Sequence, residues 1–141
     1  MDPINQAIID VLTINARQSL TSIGQRVNLS VPAVRERIQR LEASGIIRGY
    51  TVELDYEKLD RTIAALVMVR LRDGNPETID TFLKQVETEE DIVSCSTITG
   101  DFEYVLMIRT HSMTNLEALL ARIRGYGVAR TNTSFLLSKK K

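Results

Sequence analysis

An α+β chain in two parts is predicted, on three observations. Hydrophobic residues recur at helical spacing up to about Glu42 and then alternate between strand-like and helical runs. The first 50 residues carry six arginines against four carboxylates although the whole chain is neutral. From residue 62 onward the runs follow the order βαββαβ. With 141 residues, 43% hydrophobic and 26% charged, the chain can bury a core in one or two small domains and is not disordered. It holds no run of about 18 apolar residues, and MDPINQ lacks the basic-then-apolar pattern of a secretion signal. A cytoplasmic protein with no membrane partner is therefore expected. One cysteine, Cys95, and one histidine, His111, exclude an intrachain disulfide and cannot supply an ordinary zinc ligand set, so no metal is expected. Cys95 reads as a small buried side chain, and Lys139, Lys140 and Lys141 as a frayed, solubilising end.

The first helix takes Asp2 as its cap and Pro3 just inside, buries Ile4, Ala7, Ile8, Val11 and Leu12, and ends near Asn15. A second, short helix from Thr21 presents Ile23 and Val27 inward and stops at Asn28, which tolerates a left-handed turn. Ser30 caps a third helix running to about Ser44, with Pro32 in its first turn and Gly45 as its exit. Val34, Ile38 and Leu41 fall in one narrow sector of this helix. Pro32, Arg35, Glu36 and Gln39 lie opposite, with Ala33 and Arg40 at the margin. Two helices joined by a short turn, the second basic and amide-bearing outside, form the helix-turn-helix arrangement that enters the DNA major groove. A plain three-helix bundle with a solvated arginine face is the competing account.

Arg35 and Gln39 match guanine and adenine edges, and Ser19, Thr21, Arg26 and Arg40 suit phosphates. The candidate DNA contacts are these six with Ser30, Pro32, Ala33 and Glu36. Arg37 lies beside the buried sector and is expected to pair with Glu36, Glu42 or an acid of another helix. The alternation Tyr50, Val52, Leu54 reads as a strand or small wing. The expected organisation is a winged helix-turn-helix over residues 1–50, a linker or hinge strand over 51–61, and a second domain over 62–141.

In that second domain, Ile63 to Leu71 forms a strand, and Pro76 opens a helix with Ile79, Phe82, Leu83 and Val86 on one face. Val93 to Thr99 and Tyr104 to Arg109 form two more strands. Ser112 and the Thr114/Glu117 pair start a helix burying Leu116, Leu119, Leu120 and Ile123, and Thr131 to Leu137 is the last strand. This is the ferredoxin-like order, an antiparallel sheet with both helices on one face. Leu66 and Met68 oppose Ala65, Val67, Val69 and Leu71, and Val105 and Met107 oppose Tyr104, Leu106 and Ile108, so both sheet faces read as apolar. Helices cover only one of them. The other is expected to pack on a second copy, giving a two-fold dimer with two reading helices. Gly100-Asp101 reads as a two-residue hairpin turn. Alternatively, Asp101 and Glu103 beside Phe102 and Tyr104 suit an ammonium group carrying an apolar side chain.

Asn15-Ala16-Arg17, Leu29-Ser30, RIQRLEASG over Arg37 to Gly45 with Ile46-Ile47 and Gly49-Tyr50, and TGDFEYVL over Thr99 to Leu106 together closely resemble the Lrp/AsnC family of transcription regulators. The resemblance spans nearly the whole chain. It implies a homodimer that often assembles into octamers or discs, wraps double-stranded DNA at the nucleoid, and answers to a small effector, commonly an amino acid. It places the effector near Thr99, Gly100, Asp101, Phe102, Glu103 and Tyr104, completed by Thr133 and Ser134 of the last strand, where loops of neighbouring dimers meet. Asn28 stands where many members have glycine. An architectural DNA-wrapping protein with little effector response is the first alternative, although positive charge is sparse for it. A tetrapyrrole-modifying decarboxylase is the second. His111 as sole histidine and the lack of a nucleophile–base pair argue against it, so no enzymatic activity and no cofactor are expected.

Overall fold

The structure is a computed structural model that describes residues 1–138 and Lys140, so the expectation for the lysine end lies, at Lys139 and Lys141, outside the described residues. The chain divides after Glu53 into two units with separate cores. Asp2 opens α1 (Pro3–Ile14), its carboxylate accepting from the Ile4 amide at 2.7 Å. α2 (Leu20–Val27) starts one residue earlier than its apolar pattern predicts, because Ser19 is the cap and its Oγ accepts from the Ser22 amide at 3.1 Å. Asn28 ends α2 in the left-handed region at φ 55°. Ser30 caps α3 (Val31–Ala43), and Gly45 takes the chain out at φ 72°.

Ile8, Ile23, Val34 and Leu41 form the buried centre of this unit. Gly24 is what lets α2 pass the interhelical turn: a Cβ there would meet the Leu29 carbonyl oxygen at 2.5 Å. Arg37 pairs with the acid that caps another helix, the last of the three partners expected of it, and not with Glu36 or Glu42. Its Nη1 donates to Asp2 Oδ2 at 2.7 Å and to Asn5 Oδ1 at 2.8 Å, and this guanidinium holds the Asp2 carboxyl below its ordinary range.

The expected wing strand does not form. Tyr50, Val52 and Leu54 are exposed, and their segment pairs with no strand among the described residues. Alternation makes a strand only where the backbone finds a ladder partner, and among the described residues there is none. Tyr50 instead donates its hydroxyl to Glu42 Oε1 at 2.8 Å, folding the segment back toward the end of α3.

The second unit opens on a turn: the Arg61 amide donates to the Tyr56 carbonyl at 2.8 Å and Asp60 sits at φ 59°. His111 Nδ1 lies 2.7 Å from the Asp60 carbonyl oxygen, so the exposed histidine anchors this turn. Then come β1 (Ile63–Leu71), α4 (Pro76–Thr88), β2 (Ile92–Thr97), β3 (Tyr104–Thr110), α5 (Met113–Arg124) and β4 (Val128–Phe135). The sheet is antiparallel in the order β2-β3-β1-β4, the ferredoxin-like arrangement expected. β4 begins at Val128 rather than Thr131, directly after Gly127 turns at φ 82°. α5 is capped by Ser112 alone, its Oγ accepting from the Asn115 amide, without the expected Thr114/Glu117 box.

Ala65, Val67, Val69 and Leu71 meet Leu106, Ile108, Phe82, Leu116, Leu119 and Ile123 in the core. Leu83, expected on the buried face of α4, is exposed. The other sheet face is apolar only at its centre. Half-buried Leu66, Met68, Val105 and Met107 lie on β1 and β3, while the register sets Ser94 and Ser96 of β2 and Asn132 and Ser134 of β4 beside them. The expectation of two apolar faces holds for the inner strands and fails for the outer pair, whose side chains on this face are polar.

Gly24→Ala is expected to destabilise the N-terminal unit by about 1–3 kcal/mol, the usual range for overpacking, without altering its helix content after refolding. Urea unfolding followed by circular dichroism measures this. At the end of α4, Glu89 accepts from Arg122 through Nε and Nη2, both at 2.8 Å, and from the Tyr126 hydroxyl at 2.6 Å. Chiefly through Arg122, its carboxyl is held below the ordinary 4.5. The stability this depression contributes is present above the ordinary 4.5 and is lost as the pH falls on through the lower folded value. Glu89→Gln should therefore cost about 1 kcal/mol at neutral pH, since Arg122 is half exposed, and should flatten the acid limb of the stability profile.

Candidate DNA-reading helix and effector loop

On α3 the buried stripe of Val34 and Leu41 fixes which side chains face out. Pro32, Arg35, Glu36, Gln39 and Arg40 are exposed, and Ala33 is half-buried. Arg35 and Gln39, one turn apart, make no hydrogen bond or ion pair among the described residues, so their planar donor groups are open. Glu36 is engaged by Arg40 in an i,i+4 ion pair, which leaves Arg40 to exchange a carboxylate for a phosphate. On α2, Thr21 and Arg26 are exposed and unpaired, while Ser19 and Ser30 spend their hydroxyl oxygens on helix caps. Exposed Gln25, next to Arg26, was not singled out by sequence pattern, which gives no reason to prefer one polar residue of a short helix over its neighbour.

The β2–β3 connection is longer than the two-residue hairpin expected. The last strand pair is Thr97 with Tyr104, and the Ile98 amide donates to the Glu103 carbonyl at 2.8 Å, leaving a four-residue loop, Thr99 to Phe102, with Gly100 at φ 112°. The amides of these four residues find no acceptor among the described residues. Glu103 is not free to meet a ligand ammonium: its Oε2 accepts from the Leu71 amide at 2.8 Å and its own amide donates to the Val69 carbonyl at 3.0 Å. It pins the loop to the end of β1. Tyr104 is buried in the core, its ring 5.0 Å from that of Phe82. Within one chain, the open acid of the loop is Asp101, exposed and with its carboxylate unpaired.

Two side chains that sequence spacing did not single out flank this loop. Arg70 Nη1 donates to the Asp101 carbonyl at 3.1 Å, and the Arg130 guanidinium lies 4.8 Å over the Phe102 ring. Both are remote in sequence from Thr99–Tyr104, and only the sheet register gathers them. Thr133 and Ser134 pair with Val67 and Leu66, on opposite faces of β4 and further along β1 than the Val69–Leu71 end that holds the loop. One chain does not bring them to the loop. A separate groove of about 660 Å³ runs between α4 and β2, lined by Leu83, Ile92, Val93, Cys95 and Tyr104. Cys95 is half-buried there, and burial pushes its thiol upward, away from a reactive thiolate. Among the described residues no cluster of metal-ligating side chains occurs.

Residues 1–42 match the AsnC-type helix-turn-helix domain, and residues 64–141 match the Lrp/AsnC ligand binding domain. The chain belongs to the Lrp/AsnC family of transcriptional regulators. It is 32% identical over 138 residues to the HTH-type transcriptional regulator LrpA of Mycobacterium tuberculosis, covering 98% of this chain and 91% of that protein. Among solved structures it resembles the Neisseria meningitidis transcriptional regulator NMB0573 in complex with L-methionine, at TM-score 0.93 and 25% identity over 100% of this chain and 92% of that one. It also resembles the feast or famine regulatory protein Rv3291c of M. tuberculosis complexed with L-methionine, at TM-score 0.90 and 30% identity over 99% and 94% of the two chains. The matched boundaries put the exposed Arg35 and Gln39 inside the helix-turn-helix domain and the Thr99–Tyr104 loop inside the ligand binding domain.

Proposed function

We propose that Arg35 and Gln39 read base edges in the major groove while Thr21, Arg26 and Arg40 hold phosphates, and that the Thr99–Phe102 loop senses an amino acid. The observation that carries the DNA half is the exposed, unpaired state of Arg35 and Gln39 on a helix whose opposite face is locked into the core. Ser19 and Ser30 act one step back, by capping α2 and α3 so that the helix starts face the duplex. Pro32, Ala33 and Glu36 line the same helix start and side and shape what fits beside it.

The sensing half rests on the open loop amides and the unpaired Asp101, in a domain whose matched relatives include two complexes with L-methionine. The apolar centre of the free sheet face, Leu66, Met68, Val105 and Met107, supports a two-fold dimer, which sets two reading helices on half-sites about one helical turn apart. Thr133 and Ser134 complete the effector site from a neighbouring dimer in a higher assembly such as an octamer. An effector bound there favours one assembly and so one spacing of reading helices, by differential affinity. Among the described residues no helix is long and apolar enough to cross a membrane. The chain acts on DNA in the cytoplasm.

Titration on its own upstream region and on random DNA at two salt concentrations, with and without each standard amino acid, tests this reading. Specific binding that at least one amino acid changes is the expected result. Equal affinity for both DNAs and no amino-acid effect would make the protein an architectural DNA wrapper. Arg35→Ala should reduce discrimination by about 1–3 kcal/mol and leave random-DNA affinity unchanged, whereas a uniform loss would assign Arg35 to a phosphate.

A further inference from the structure

We propose that Glu36 is a specificity-determining residue of α3, accepting from the 4-amino group of a cytosine once Arg40 has left it for a phosphate. This rests on the reading that α3 enters the major groove, and it assigns the base that one position of each half-site must carry. At about 100° per residue, Pro32 and Gln39 share one outward line of α3, and Arg35 and Glu36 stand about 50° to either side of it. The carboxylate is therefore as central to the outer face as the guanidinium. A helix that presents Arg35 and Gln39 to base edges brings Glu36 to them as well.

Off DNA the Glu36 charge is met by Arg40, one turn further along, and among the described residues neither side chain makes another polar contact. The arginine and glutamate side chains are 75% and 63% exposed, so water screens the pair and little is lost when it parts. Arg40 lies about 40° beyond Glu36 toward the margin of the face, where a groove presents phosphates and not base edges. Its transfer to a phosphate leaves a bare carboxylate among acceptors: guanine N7 and O6, adenine N7 and thymine O4. Only the amino groups of adenine and cytosine donate in the major groove. Adenine sets the acceptor N7 beside its amino group, whereas cytosine sets only a carbon-bound hydrogen there. A carboxylate therefore fits cytosine, while the Gln39 amide, with a donor and an acceptor, fits adenine. Glu36 admits one base at its position and repels the other three.

The test starts with the full chain selecting its sites from a random-sequence duplex library. Wild type, Glu36→Gln and Glu36→Ala are then titrated on the selected site, on its single-base substitutions, on random DNA, and on a site whose cytosine is replaced by an analogue lacking the 4-amino group. Both replacements are good helix formers at an exposed position, so α3 is kept. Wild type should prefer cytosine at one position of each half-site by roughly tenfold or more over the other bases and over the analogue. Glu36→Gln should move that preference to adenine. Glu36→Ala should abolish it and bind random DNA more tightly than wild type, because Arg40 is released and a charge that repels phosphates is gone. A wild-type preference that survives Glu36→Ala at every position overturns the assignment and leaves base reading by Arg35 and Gln39 standing. Tighter binding of Glu36→Ala to all sequences alike, with no position changed, makes Glu36 a repelling charge only and also overturns it. A wild-type chain with no sequence preference overturns both readings.

Discussion

Strand β1 is paired on both edges, and that constraint organises the ligand-binding half of the molecule. Its backbone must be satisfied by β3 on one side and β4 on the other, and its side chains Ala65, Val67 and Val69 must all point at the helices. A shift of one residue would bury Leu66, Met68 and Arg70 instead. The register therefore admits no slack, and it carries the β2–β3 loop, Arg70 and Arg130 to one end of the same sheet. Glu103 reinforces this by accepting from the Leu71 amide beyond the last β1–β3 pair.

The N-terminal unit solves a smaller version of the same problem with helices. Its core rests on four buried side chains, so the approach of α2 to the turn at Leu29 matters as much as apolar area. Gly24 and the left-handed Asn28 make that approach possible, and the Arg37–Asp2 contact ties the reading helix to the start of the chain. Arg35 and Gln39 stay open because they lie opposite the apolar stripe, whereas Arg37, on its flank, is paired. Within one arginine-rich helix the division between structural and solvent-facing cations follows from the angle each makes with the apolar stripe.

The elements most legible in the sequence are those whose stabilising contacts are local. Caps at Asp2, Ser30 and Ser112, the exit at Gly45 and the outward face of α3 all follow from spacing within a few residues. Misreadings occur where a remote partner decides. Tyr50, Val52 and Leu54 alternate like a strand but join no ladder among the described residues, and Tyr104 shares an acidic-aromatic run with Phe102 yet faces the opposite side of the sheet against Phe82. The run TGDFEYVL marks a loop but does not say that Glu103 holds it closed while Asp101 stays open.

By itself the amino-acid order determined the two-part α+β architecture, the helix-turn-helix with its arginine and glutamine face, and the position of the acidic-aromatic loop between β2 and β3. Helical and strand periods are written in neighbouring residues, and the family's motifs are contiguous. Tertiary structure alone decided which acids of the loop are spent and which polar residues share a sheet face. It also decided that two arginines far apart in the chain stand side by side at the loop. Strand pairing is a long-range choice, made by the summed burial of a whole sheet, and no local pattern encodes who sits opposite whom.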